Sequence, residues 1–242
     1  MNLEKAYEWY KSHTYDSTGI YSNVYTDVNG DERQWEGLNQ IEKIIDEIKD
    51  EFNFQKIICI ETGASQDKHD GAVGLFFAKL CELTNGEFHS VDNDENIFNQ
   101  SKIMYEKHNV RVKHYLQDSV EFLENTEVVP NLMHLDSWDL DLTNPFPSAL
   151  HGWREFTAIK DKMPIGSMII IDDNYFKGTW VNWNITFGGE YIGKSKQIDI
   201  EYPIVGKGSL VYHFVEGGDS NWEKLSKDIV GSNQKIIFKK IK

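Results

Sequence analysis

The sequence predicts an α/β protein: a seven-stranded, mostly parallel sheet with helices on both faces and an antiparallel edge. Two observations carry this. Between Gln55 and Asn174, five apolar strand-like segments alternate one for one with helix-like segments, and strict alternation implies parallel pairing through right-handed crossovers. After Asn174, the strand candidates KQIDIEY, SLVYHFVE and KIIFKKI lie between Gly-containing turns. That pattern suits antiparallel strands closing an edge.

The elements read in order. Leu3 to Lys11 is one short helix, and the polar, Tyr-rich stretch TYDSTGIYSNVYTDVNGDE after it reads as loop. From Glu32 to Phe52, Trp35, Leu38, Ile41, Ile44, Ile45 and Ile48 recur at helical spacing. Residues 1–52 are therefore expected to be a helical N-terminal extension, its Tyr-rich loop a candidate substrate lid, and 53–242 a single domain. KIICIET, EFHSVDN, VRVKHYL, NLMHLDS and GSMIIIDD are the five strands. The helices between them are GAVGLFFAKLCEL, ENIFNQSKIMYEKH, DSVEFLEN and SALHGWREFTAIKDKM.

Composition narrows the function. With 25 Lys and Arg against 39 Asp and Glu, the 242 residues carry a net charge of −14, which argues against a general nucleic-acid or anionic-membrane binder. Hydrophobic residues at 40% supply a core. No run of about 18 apolar residues occurs, and MNLEKAYEWYKSHTYD lacks the apolar stretch of a signal peptide; a cytoplasmic location is expected. Cys59 and Cys81 make neither a metal-ligand spacing nor a disulfide framework, and Cys59 reads as a small buried side chain.

In an open α/β sheet, ligands bind beyond the carboxyl ends of the strands. Those ends here are Glu61–Ser65, Asp92, Asp118 with Ser119, Asp136–Asp139, and Asp172–Asn174. A dinucleotide would need a Gly-rich turn for its pyrophosphate. The first turn instead reads TGASQDKHDG, whose Asp67 and Asp70 oppose phosphate, and no GxxxxGK[ST] loop exists. A cofactor with adenosine and a positive centre but no phosphate fits better, namely S-adenosylmethionine. Asp92 would accept both ribose hydroxyls, and Gly63 would let the backbone come close.

The segment from Ile57 to Asn174 resembles the class I S-adenosylmethionine-dependent methyltransferases, which have a Rossmann-like sheet. It is most similar to metal-dependent small-molecule O-methyltransferases of the catechol and macrocin type. IETGAS resembles their first motif, SVDND the acidic end of strand two, LQDS the segment flanking adenine, MHLDSW the fourth-strand motif and GSMIIIDDN the fifth. The resemblance implies cofactor contacts at Glu61, Gly63, Ala64, Ser65, Asp92, Asp118, Ser119 and Asp136. It also implies Mg²⁺ or Mn²⁺ at Asp136, Asp172 and Asp173. Where the catechol group has a Lys base, this chain has Asp139, with Asp141 two residues on; a carboxylate base is expected. The first motif departs from the family in having Gln66 after Ala64 and Ser65 rather than a further Gly.

Three carboxylates at adjacent strand ends repel unless paired. A divalent ion resolves that, with Asn174 an alternate oxygen ligand; a neighbouring Lys or Arg is the alternative. His134 reads as a core histidine, His151 as facing either core or site, and His69 as the histidine best placed near the cofactor. Trp138, Trp180, Trp183 and Phe187 could wall the pocket or pack. The expected activity is metal-assisted methyl transfer to a small-molecule hydroxyl. No nucleic-acid or membrane partner is expected, and a homo-oligomer is open. The alternatives are a metal-dependent hydrolase and a non-catalytic nucleoside-binding protein on the same fold.

Overall fold

The five apolar runs pair in parallel. A computed structural model describes residues 2–14, 24–26, 32–34, 36–65, 73–141, 144–176, 180–182, 195–197, 204–218, 221–226 and 234–242. Its strands β1 (Ile58–Thr62), β2 (Glu87–Asp92), β3 (Lys113–Leu116), β4 (Leu132–Leu135) and β5 (Met168–Phe176) are followed by β6 (Ile204–Gly206), β7 (Trp222–Lys224) and β8 (Gln234–Lys240). The spatial order is β7-β8-β5-β4-β1-β2-β3. β1 to β5 are mutually parallel, while β8 runs antiparallel to both β5 and β7. Seven strands form this path, as expected. An eighth, β6, pairs antiparallel with the far end of β5, Gly206 opposite Asn174.

Register places the site. Thr62 lies opposite both Val91 and Leu135, and Leu135 opposite Ile171. Gly63, Asp92, Asp136 and Asp172 therefore lie at one level, where the parallel pairing ends at the carboxyl edge. Two short antiparallel pairs lie outside the sheet, Val24–Thr26 with Glu32–Gln34 and Trp180–Asn182 with Ser195–Gln197.

Seven helices are described: α1 (Asn2–Thr14), α2 (Glu36–Ile48), α3 (Val73–Leu83), α4 (Glu95–Lys107), α5 (Ser119–Asn125), α6 (Phe146–Ile159) and α7 (Ser209–Glu216). Successive strand residues face opposite sides. Cys59 and Ile170 pack with Phe76, Phe77 and Leu80 of α3, and with Leu3, Ala6, Tyr10, Ile41, Ile44 and Ile48 of α1 and α2. Their neighbours Ile60, Ile169 and Ile171 join Phe122, Phe156, Ile159 and Phe238 on the other face. Asp94 caps α4 by accepting from Asn96 N and Ile97 N, and Asp118 caps α5 by accepting from Glu121 N. No described helix is long and apolar enough to cross a membrane.

One predicted element changes type. SLVYHFVE alternates like a strand, yet it forms helix α7. Its buried residues are Val211 and Val215, spaced i, i+4, and Phe214 packs its ring 5.3 Å from Trp153 and 5.9 Å from Phe156. Tertiary packing against α6 overrides the alternation. Of KQIDIEY, the first two residues fall in the short strand Ser195–Gln197 and residues 198–202 lie outside the described residues. Most of the Tyr-rich stretch proposed as a lid also lies outside them.

Candidate functional site

A cavity of about 480 Å³ opens at the carboxyl edge, among the ends of β1, β2 and β4, Asp172 and Asp173 of β5, the starts of α4 and α5, and His151 of α6. Gly63, Ala64, Asp92, Asp118, Ser119, Asp136, Asp139, Asp172 and Asp173 all line it, so most of the residues singled out in sequence meet in one place. Gly63 has φ +77°, and a Cβ there would sit 2.6 Å from the backbone of Asp136 and Ser137. Glycine is thus required for the end of β1 to lie against the end of β4. Asp92 is held from two sides. Its Oδ2 accepts from Ala64 N and its Oδ1 from Asp94 N, both at 2.8 Å. Burial pushes its carboxyl above the usual range, against the pull of those two amides.

Glu61 and Ser65 do not line the cavity; they brace its floor. Glu61 is fully buried and accepts from Ser65 Oγ at 2.6 Å, Ser90 Oγ at 3.0 Å and Tyr105 OH at 3.1 Å. Burial works to raise its pKa, but His134 and Ser65 together hold it below the ordinary carboxylate value. Ser65 Oγ in turn accepts from Gly74 N at 3.0 Å, which fixes the start of α3.

The three carboxylates expected to hold a metal face lysines. Lys207 Nζ donates to Asp136 Oδ1 at 2.6 Å and Asp136 O at 2.9 Å, and lies 2.9 Å from Asp173 Oδ2. Lys235 Nζ is bonded to Asp172 Oδ2 and lies 3.3 Å from His134 Nε2. Burial pushes Asp136 up to about 6 despite Lys207, whereas the Lys235 ammonium overcomes burial and brings Asp172 down to about 2. His134, Asp136 and Asp172 offer one ligand atom each within 4.8 Å of one another. With ammonium groups seated on all three aspartates, however, the arrangement does not fit a divalent ion as it stands. Asn174 is no ligand candidate either. It is fully buried, accepts from Gly208 N at 2.8 Å and donates to Ile171 O and Asp172 O.

Asp139 stands exposed at the cavity wall; Asp141 is exposed and outside the lining. His151 does face the site. Its Nε2 lies 3.0 Å from Ser119 Oγ and 3.5 Å from buried Glu155, which also accepts from Ser137 Oγ at 2.6 Å. Trp138 lies beside the His151 ring at 5.3 Å, is 57% exposed and takes φ +66°, a backbone conformation bulky residues avoid. His134 is a core histidine, as expected. His69, Trp183 and Phe187 lie outside the described residues. Sequence reasoning missed Lys207, Lys235 and Glu155. The partners of the two lysines are distant in the chain, so no local spacing marks them; Glu155 stands i,i+4 from His151, a helical spacing that could have flagged it.

No family model and no curated protein matches the sequence. Solved structures do match in shape. An rRNA methylase from Streptococcus thermophilus is 10% identical, with 84% of this chain and 97% of that one covered at a TM-score of 0.51. A putative methyltransferase from Streptococcus mutans in complex with SAH is 13% identical over 83% and 97%, TM-score 0.51. A putative rRNA methylase from Clostridium thermocellum is 13% identical over 84% and 96%, TM-score 0.53. The fold is the Rossmann-like methyltransferase fold. The same likeness overturns the expectation, drawn from net charge, that nucleic acid is not a partner. Two of these three proteins of the methyltransferase fold are described as rRNA methylases, so a charge of −14 does not rule out a nucleic-acid partner on this fold.

Proposed function

We propose that this protein is an S-adenosylmethionine-dependent methyltransferase. The observation that carries the reading is the charge of the cavity. Among the described residues, seven aspartates and one lysine line it, and that lysine is already paired with two of the aspartates. Such a wall disfavours a pyrophosphate and favours a ligand carrying positive charge. Its volume is ample for one nucleoside-sized ligand.

Bound there, S-adenosylmethionine would supply a methyl group on a cationic sulfur for in-line transfer to an acceptor nucleophile. The chain's own part is alignment. Asp92, fixed by two backbone amides, offers its remaining lone pairs to the ribose hydroxyls. Ser119 and Asp118 border the adenine side, with Ser119 steadied by His151. Gly63 and Ala64 form the floor, and Glu61 and Ser65 keep that floor rigid from below. For an acceptor hydroxyl, Asp139 at the open wall is the carboxylate positioned to take the proton.

Titration calorimetry with S-adenosylmethionine and S-adenosylhomocysteine tests this directly, with NAD as the control. Binding of the first two and not the third supports the reading; tight NAD binding overturns it. Radiolabelled methyl transfer to ribosomal RNA transcripts and to small hydroxyl compounds then separates the acceptor classes.

A further inference from the structure

We propose that Lys207 is a covalently tethered cation standing where a divalent ion would otherwise bridge Asp136 and Asp173, so that this pocket needs no metal. The proposal concerns the same cavity as the methyltransferase reading but does not require its ligand.

An ammonium group has three donors, and those of Lys207 have three acceptors within reach: Asp136 Oδ1, Asp136 O and Asp173 Oδ2, at 2.6, 2.9 and 2.9 Å. The side chain is 3% exposed. With its protons so committed, Lys207 is neither a proton acceptor nor an anion-binding group. What it supplies is positive charge at a fixed point between two strand ends. Lys235 repeats the arrangement on Asp172.

The lysine is also held from behind. Its own N–H donates to Asp173 O at 3.3 Å, and the next residue, Gly208, donates to Asn174 Oδ1 at 2.8 Å. Before it, Gly206 pairs with Asn174 at φ +134°, where any Cβ would collide with Asp173 O. β6 is thus a clamp on β5 that delivers one side chain into the carboxylate cluster. A divalent ion coordinates carboxylate oxygens at 2.0–2.6 Å. To reach Asp136 and Asp173 together it would have to evict Lys207, leaving a buried ammonium without partners, which is strongly unfavourable.

The test is Mn²⁺ titrated into the full-length, cofactor-free protein, with free Mn²⁺ read by electron paramagnetic resonance. The wild type is expected to show no saturable site below the millimolar range. Lys207→Gln, which keeps a polar side chain but removes the charge, is expected to bind Mn²⁺ at least about tenfold more tightly, because affinity follows the uncompensated ligand charge. Lys207→Met, of similar length and uncharged, serves as a second variant with the same gain expected if the first does not fold. A wild-type protein that binds Mn²⁺ stoichiometrically, and loses it on Asp136→Asn, overturns the proposal. So does a folded Lys207→Gln with no gain. Because no cofactor is present, neither outcome depends on whether S-adenosylmethionine binds.

Discussion

Ala64 donates its backbone N–H to Asp92 Oδ2 at 2.8 Å, tying the turn after β1 to the end of β2. With Asp94 N on the other oxygen, the carboxylate is oriented before any ligand arrives. Asp92→Ala removes the acceptor and is expected to weaken S-adenosylhomocysteine binding by about 1.5–3 kcal/mol, the range for hydrogen bonds to a charged partner. Asp92→Asn keeps one oxygen and should fall between. Calorimetry on both variants decides; undiminished affinity in Asp92→Ala removes this residue from the ribose site.

Gly63→Ala should damage the fold as well as the pocket. The left-handed conformation alone costs a non-glycine residue about 1–3 kcal/mol, and the added Cβ meets the Asp136 backbone at 2.6 Å. At roughly 2–4 °C per kcal/mol for a chain of this size, a drop of several degrees in thermal midpoint is expected by scanning calorimetry. An unchanged midpoint would contradict the close approach of β1 and β4.

Glu61 links stability to pH. Its folded-state pKa lies below the ordinary value of 4.5. Its contribution is therefore fully present above about pH 4.5 and is lost as pH falls through the depressed folded value. Glu61→Gln puts an amide donor among the hydroxyls of Ser65, Ser90 and Tyr105. It should lower stability at neutral pH by about 1–3 kcal/mol and flatten the acid limb. Urea unfolding across pH checks both; a variant as acid-sensitive as the wild type would assign that limb to other groups.

Lys240 closes the end of α6. Its Nζ donates to Lys160 O at 2.9 Å and Met163 O at 2.7 Å, just as Lys162 Nζ donates to Leu123 O and Glu124 O, both at 2.8 Å, at the end of α5. Cations satisfy the orphan carbonyls of a helix terminus and its negative dipole end. Lys240→Met should cost about 1–3 kcal/mol and speed amide exchange in residues 159–163. Exchange unchanged there would mean that solvent serves those carbonyls equally well.

The parallel core was legible because each buried strand is a short apolar run ending in an acidic residue, as in KIICIET and NLMHLDS. Local chemistry sufficed to bring Gly63, Asp92 and Asp118 to one cavity, because each lies at or just past the end of a strand. It failed for SLVYHFVE, where Val211 and Val215 face the core but Leu210, Tyr212 and Phe214 supply an equally good alternation. It failed again at the carboxylates. Their need for positive charge was readable, but the source was not, since Lys207 stands 71 residues from Asp136 and Lys235 stands 63 from Asp172.

Those separations order the events of synthesis. A growing chain makes all three carboxylates before either of their lysines, so a nascent polypeptide that stops short of residue 207 holds an uncompensated cluster of negative charge at its strand ends. β8 must also slot between β5 and β7 before Lys235 reaches Asp172, a long-range closure that is intrinsically slow. The cavity wall built by β1 and β2 is consequently translated early and completed late. Partly made chains are left with its carboxylates uncompensated.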